Sequence, residues 1–184
     1  MRKVMLTVGS KIIGKGVSWA YPKGDPDNHF EIPMYELKVA GHDSRNKLSV
    51  TTFPVYRFGL HCTDGKTVHS VGLADAQRHL IRTWKPNYTV HSAPSNEDGA
   101  WVVIGTFYVH AGPEDDSEIE ATIGCVEICG PNGFVKFNDL LITLMEPSGK
   151  TRDEKLSAIA HSGLLTIVYE QAPRPPIKPL PRGQ

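Results

Sequence analysis

Residues 107–144 read FYVHAGPEDDSEIEATIGCVEICGPNGFVKFNDLLITL. A β-like run ends at His110. Fifteen positions later Cys125 follows Gly124, inside Thr122-Ile123-Gly124-Cys125-Val126. A strong turn, Gly130-Pro131-Asn132-Gly133, comes next. Apolar residues at helical spacing then run through Met145, with Asn138 or Asp139 placed to cap a short helix. A cysteine that attacks an acyl carbon needs a base nearby, usually an imidazole. A small residue beside the thiol lets backbone N–H groups approach an oxyanion. This stretch supplies both, and it predicts strands joined by turns, with a helix packed on them.

The rest of the chain agrees with a mostly β fold of mixed sheets, sandwich-like, with one or two short helices. Residues 3–8, 35–39, 48–58, 101–110 and 164–169 read as strands, and 88–91 as another. The polar segment 41–46 joins two of them as a hairpin, and Asp64-Gly65 marks a second hairpin within 60–71. Residues 18–28 are rich in turn formers and predict a loop. Leu73, Ala76, Leu80 and Ile81 lie near helical spacing, which predicts a short helix over 73–84. Residues 151–160 predict another. The acidic run 114–120 predicts an exposed loop. The last twelve residues hold five prolines and predict an extended tail outside any core. Pro176-Ile177-Lys178-Pro179 matches a PxxP pattern, although a plain proline-rich tail is the simpler reading. The organisation expected is a β segment over 1–46 packed on a catalytic domain over 47–171, then a tail over 172–184.

Twenty basic and twenty acidic residues cancel. No long run of one sign interrupts the chain, so neither nucleic acid nor anionic lipid is expected as the main partner. No apolar run approaches the ~20 residues of a membrane-spanning helix. Residues 2–8 are too short for the apolar region of a secretory signal. Three cysteines are too few for a disulfide scaffold. Cys129 reads as structural, and a Cys125–Cys129 disulfide would be strained within a strand. Cys62 beside His61 lacks zinc-ligand spacing, so neither a metal nor a cofactor is expected.

The order strand, His110, loop, Thr122-x-Gly124-Cys125-Val126, turn, helix resembles the L,D-transpeptidase (YkuD-like) family. His110 matches the family's first histidine, Thr122 its small hydroxyl residue, Gly124 and Cys125 its core pair, and Val126 and Ile128 its apolar positions. The resemblance covers roughly residues 50–169, and only 107–144 is specific. Ile123 stands where the family usually has a second histidine. Glu127 stands where it often has an arginine that meets a substrate carboxylate.

The resemblance implies acyl transfer on a peptidoglycan stem peptide. Cys125 would attack the carbonyl between the diamino acid and the terminal D-alanine, with His110 as base. Water or an amine would then resolve the thioester. Backbone N–H groups near Gly124 and Cys125 are the expected oxyanion donors, each worth about 3 kcal/mol. A carbonyl near Ala111 or Gly112 would orient His110, and Thr122 would hold the turn or the histidine. His91, Tyr108, Gly112 and Glu127 are the candidate substrate contacts, with His91 a rival base. A periplasmic substrate and no visible signal together imply a protein made in the cytoplasm and exported by a specialised secretion machine, as an antibacterial effector with a cognate immunity protein. Two other readings compete. One is a non-catalytic β module that binds cell wall or a partner. The other is a cysteine amidase or protease of another fold, with Asp139 or Asp116 orienting His110.

Overall fold

The computed structural model describes residues 1–88, 99–115 and 118–181. Long alternating runs make the centre of the fold. β1 (Val4–Trp19) and β3 (Phe30–His42) pair antiparallel along most of their length, and β3 continues into β4 (Leu48–Tyr56) through the expected hairpin. On one side of β1 lie β13 (Leu165–Tyr169), parallel to it, and β7 (Gln77–Leu80). On the far side of β4 lie β12 (Val126–Ile128), β10 (Phe107–Ala111), β9 (Ala100–Ile104) and β8 (Thr83–Lys85). The sheet order is therefore β7-β13-β1-β3-β4-β12-β10-β9-β8. Two short pieces sit off this path: β11 (Glu120–Ala121) pairs with β1, and β14 (Lys178–Pro179) with β3. A small second sheet combines β2 (Tyr21–Pro22), β5 (Gly59–Cys62) and β6 (Val68–Val71). The fold is mostly β, with two helices among the described residues. Of the strands of the first 46 residues, β1 and β3 lie in the interior of the main sheet and β2 in the small one.

The pleat sends alternate residues to opposite faces, and each face meets a different partner. Val4, Leu6 and Val8, Leu37 and Val39, Val109, Val126 and Ile128 point to the side covered by α1 (Gly133–Met145) and α2 (Arg152–Ser162). The helices supply Phe134, Phe137, Leu141, Leu156 and Ile159 to that core. Phe30, Ile32, Tyr56 and Cys129 take part in a second cluster with Leu60 and Cys62 of the small sheet. Tyr108, His110 and Glu127, out of step with the main core, face away from the helices.

Four expectations are corrected. Residues 73–84 form β7 and β8, not a helix, because β7 closes the open edge of β13 and tertiary pairing outweighs a weak periodicity. The run 101–110 is two strands, turned at Gly105 with φ 56°. α1 begins at Gly133, five residues ahead of Asn138 and six ahead of Asp139, the two expected caps. Asn138 lies inside it, with its Oδ1 buried and accepting from Trp101 Nε1 at 2.9 Å. The proline-rich tail also docks: Ala172 is buried in the main core, Ile177 packs against the second cluster, and Lys178 pairs with Glu31 at 3.2 Å. By contrast, α2 starts where its sequence says. Thr151 and Glu154 form a reciprocal capping box.

Gly59 marks the tightest seam between the two sheets. A Cβ there would overlap the Thr122 carbonyl, and Leu60 N–H donates to that same carbonyl at 2.7 Å. Gly59→Ala should therefore cost about 1–3 kcal/mol by overpacking. Thermal melts should show a fall in Tm of about 3–10 °C. An unchanged Tm would mean that the seam is not packed as described.

Candidate active site

Parallel pairing of β10 with β12 builds the site. Val109 is matched with Val126, His110 with Glu127, and Ala111 with Ile128. The register puts Tyr108 across from Cys125, and the Tyr108 backbone amide favours the thiolate form of Cys125. The thiol in turn donates to the Thr106 carbonyl at 3.8 Å. His110 Nδ1 lies 2.6 Å from the Ala111 carbonyl. A carbonyl only accepts, so Nδ1 carries the proton and the neutral ring keeps its lone pair on Nε2. Nε2 is 3.9 Å from Glu127 Oε1. Among the described residues no hydrogen bond joins Cys125 to His110; the resting thiol points to Thr106 instead.

Tyr88 connects these groups. Its ring lies 4.7 Å from that of Tyr108 and 6.4 Å from that of His110, centre to centre. Burial, and then the proximity of Cys125, push its hydroxyl up to about 12.

The loop that carries the thiol is fixed from three sides. Thr122 is buried, and both its N–H and its hydroxyl donate to Ser18 Oγ, at 3.0 and 2.9 Å. Thr122 thus holds the turn and not the histidine. Gly124 has φ 89°, in the left-handed region, and a Cβ there would come within 2.8 Å of the Gly72 backbone. Conformation and close approach both require this glycine. Gly112 donates its N–H to Ile128 and rides over Glu127, where a Cβ would lie 2.9 Å from the Glu127 Cβ.

The electrostatics are those of a dry site. Burial pushes the Cys125 thiol up to about 12, with Glu127 adding to the rise and the Tyr108 N–H opposing it. Burial, then the neighbouring Glu120, holds the Glu127 carboxyl well above the usual range. Burial and Glu118 raise Glu120 to about 7. Both shifts favour the uncharged forms, the thiol of Cys125 and the protonated carboxyl of Glu127. That neutrality has a chemical consequence: an ionised Glu127 would repel a thiolate at Cys125, whereas a neutral one does not.

The structure brings together Cys125, His110, Tyr108, Gly112 and Glu127, and sets Thr122 and Gly124 beneath the thiol. His91 and Asp116 lie outside the described residues. Asp139 sits on the exposed side of α1, bonded to Arg152 at 2.7 Å, so it does not orient His110. Glu127 is buried, with only 2 % of its surface exposed, and is thus no open substrate contact in this conformation. Glu120, expected in an exposed acidic loop, is buried because β11 pairs with β1. Ser18, Thr106 and Tyr88 were not legible as site residues, since nothing local links them to the cysteine motif. All three cysteines are free. Among the described residues no group of three or more His, Cys, Asp and Glu is placed to hold a metal ion, and no helix is long and apolar enough to cross a membrane.

Comparison with family models, with curated proteins and with solved structures finds no match to this chain.

The buried carboxyls give the site a pH signature. Glu120 ionises near 4.5 when unfolded and near 7 when folded. Between these values the unfolded chain holds fewer protons, so stability falls as pH rises from 4.5 to 7 and levels off above. Glu120→Gln should flatten that fall. Urea titrations between pH 4.5 and 8 check it, and an equal slope in variant and wild type would contradict the assignment.

Proposed function

We propose that this chain is a cysteine acyl-transfer enzyme acting on peptidoglycan stem peptides, as an L,D-transpeptidase, an amino-acid exchange enzyme or an L,D-carboxypeptidase. One observation carries the reading. A histidine anchored through Nδ1 to the Ala111 carbonyl is the middle rung of a parallel strand pair, and Cys125 immediately precedes the second strand of that pair, across from Tyr108.

In this mechanism substrate entry turns Sγ away from Thr106 and toward His110. Contacts of this kind are often loose before substrate binds. The S–H bond breaks as S–C forms at the attacked carbonyl, and the proton passes to His110 Nε2. The positive ring keeps its Nδ1–H bond to Ala111. Collapse of the tetrahedral centre expels the D-alanine amine, which takes the proton back from Nε2. A thioester remains on Cys125. Water or an incoming amine, deprotonated by Nε2, then attacks it and restores the thiol. Thr122 and Gly124 hold the loop, and Tyr88 and Tyr108 wall the site. We further propose export by a specialised route to a periplasm, as an antibacterial effector paired with an immunity protein in its producer. The support for this step is the nature of the substrate.

A second reading, a binding module without catalysis, is favoured by the depth of the thiol. Cys125 is 4 % exposed and held protonated by its surroundings.

Purified protein and its Cys125→Ala and His110→Ala variants, incubated with muropeptide tetrapeptides and read by mass spectrometry, separate the readings. The wild type should release D-alanine or exchange it for another amino acid. Cys125→Ala should be inactive, and His110→Ala should be slower by roughly 100-fold or more. No change with any protein supports the binding module. Cleavage at another bond supports a cysteine amidase or protease.

A further inference from the structure

Lys85 is a cation seated against the tyrosines of the site, and nothing in the proposed chemistry uses it. It lies on β8, one position after Trp84, which points into the core and donates its Nε1–H to Asp153 at 3.2 Å. The pleat sends Lys85 to the opposite face, the face of Tyr108 and His110. There its Nζ lies 5.1 Å from the centre of the Tyr108 ring and 5.7 Å from that of Tyr88. It also donates to the Tyr108 hydroxyl at 3.5 Å. Among the described residues no carboxylate pairs with it. Tyr108 lies across from Cys125 in the β10–β12 register, and the Tyr88 ring packs on that of Tyr108 at 4.7 Å.

An exposed lysine usually wanders in solvent. This one rests on two π faces, an arrangement that fixes an ammonium without neutralising it. A fixed cation on an aromatic wall, one tyrosine away from a nucleophile, suits an anionic group carried one residue beyond the attacked carbonyl.

We propose that Lys85, seated on the Tyr88–Tyr108 pair, forms a carboxylate-binding subsite for the free α-carboxylate of the residue that leaves the acyl donor. The proposal rests on the acyl-transfer reading for its substrate, but not for its geometry. It makes Lys85 a specificity-determining residue: it selects donors whose scissile bond is the last one in the chain. It also supplies, from a different strand, the positive charge that Glu127 does not.

The test uses N-acetyl-D-alanine and its C-terminal amide as probes, titrated into the full-length Cys125→Ala protein and followed by NMR on the Tyr88 and Tyr108 ring signals. The free acid should bind about 3- to 10-fold tighter than the amide, as expected for one semi-exposed charge pair. Lys85→Gln should abolish that preference and Lys85→Arg should keep it. Equal binding of acid and amide, no shift with either, or an unchanged preference in Lys85→Gln overturns the subsite. A parallel turnover assay compares tetrapeptide stems with free and amidated ends. Absence of turnover together with a Lys85-dependent preference for the acid would sink the acyl-transfer reading and leave the subsite standing.

Discussion

Everything at the candidate site follows from one backbone constraint, the parallel hydrogen bonding of β10 to β12. Parallel neighbours need a crossover between them, and here it is the connection from Gly112 to Cys125. That connection is not a bare loop. Its Glu120–Ala121 segment adds to the far end of β1, Thr122 bonds Ser18, and Leu60 of the small sheet bonds back to Thr122. The crossover thus ties the main sheet to the small one and delivers Cys125 opposite Tyr108. Without it, His110 and Cys125 would be two residues fifteen positions apart in sequence with no reason to share a face.

The same burial that fixes these groups also sets their charge. A thiol pushed up to about 12 and bonded to a carbonyl is a stored nucleophile, not an active one. In the proposed reaction it becomes reactive by gaining a nearby cation, the imidazolium formed at His110. The raised Glu127 carboxyl is consistent with this. It sits next to both partners and, while neutral, neither repels a thiolate nor traps the proton on His110.

Much of this was legible in the sequence where local pattern and tertiary role coincide. The hairpins at 41–46 and around Asp64-Gly65, the capping box at Thr151 and the closing strand at Leu165–Tyr169 are all written in turn residues, caps and alternation. The carbonyl at Ala111, expected near that point to orient His110, lies 2.6 Å from Nδ1. The failures share a cause. β7 and β8 are short edge strands whose identity comes from the strands they join. α1 begins earlier than its polar residues suggest because Asn138 serves Trp101 rather than the helix end. The tail is proline-rich yet seated on β3, since a strand edge accepts such a segment where its N–H groups are not needed. Glu120 looked solvated because its run is acidic, and only its pairing with β1 buries it.

The claim on which the account turns is that Cys125 becomes covalently acylated. Acid-quenched intact-mass spectrometry, followed by peptide mapping, on protein mixed briefly with a D-alanine-ended muropeptide tests it most directly. The account predicts a mass increase equal to the donor minus D-alanine, located on Cys125 and reversed by hydroxylamine. D-Alanine release with Cys125 unmodified throughout, or an adduct on Cys62 or Cys129 instead, would contradict it.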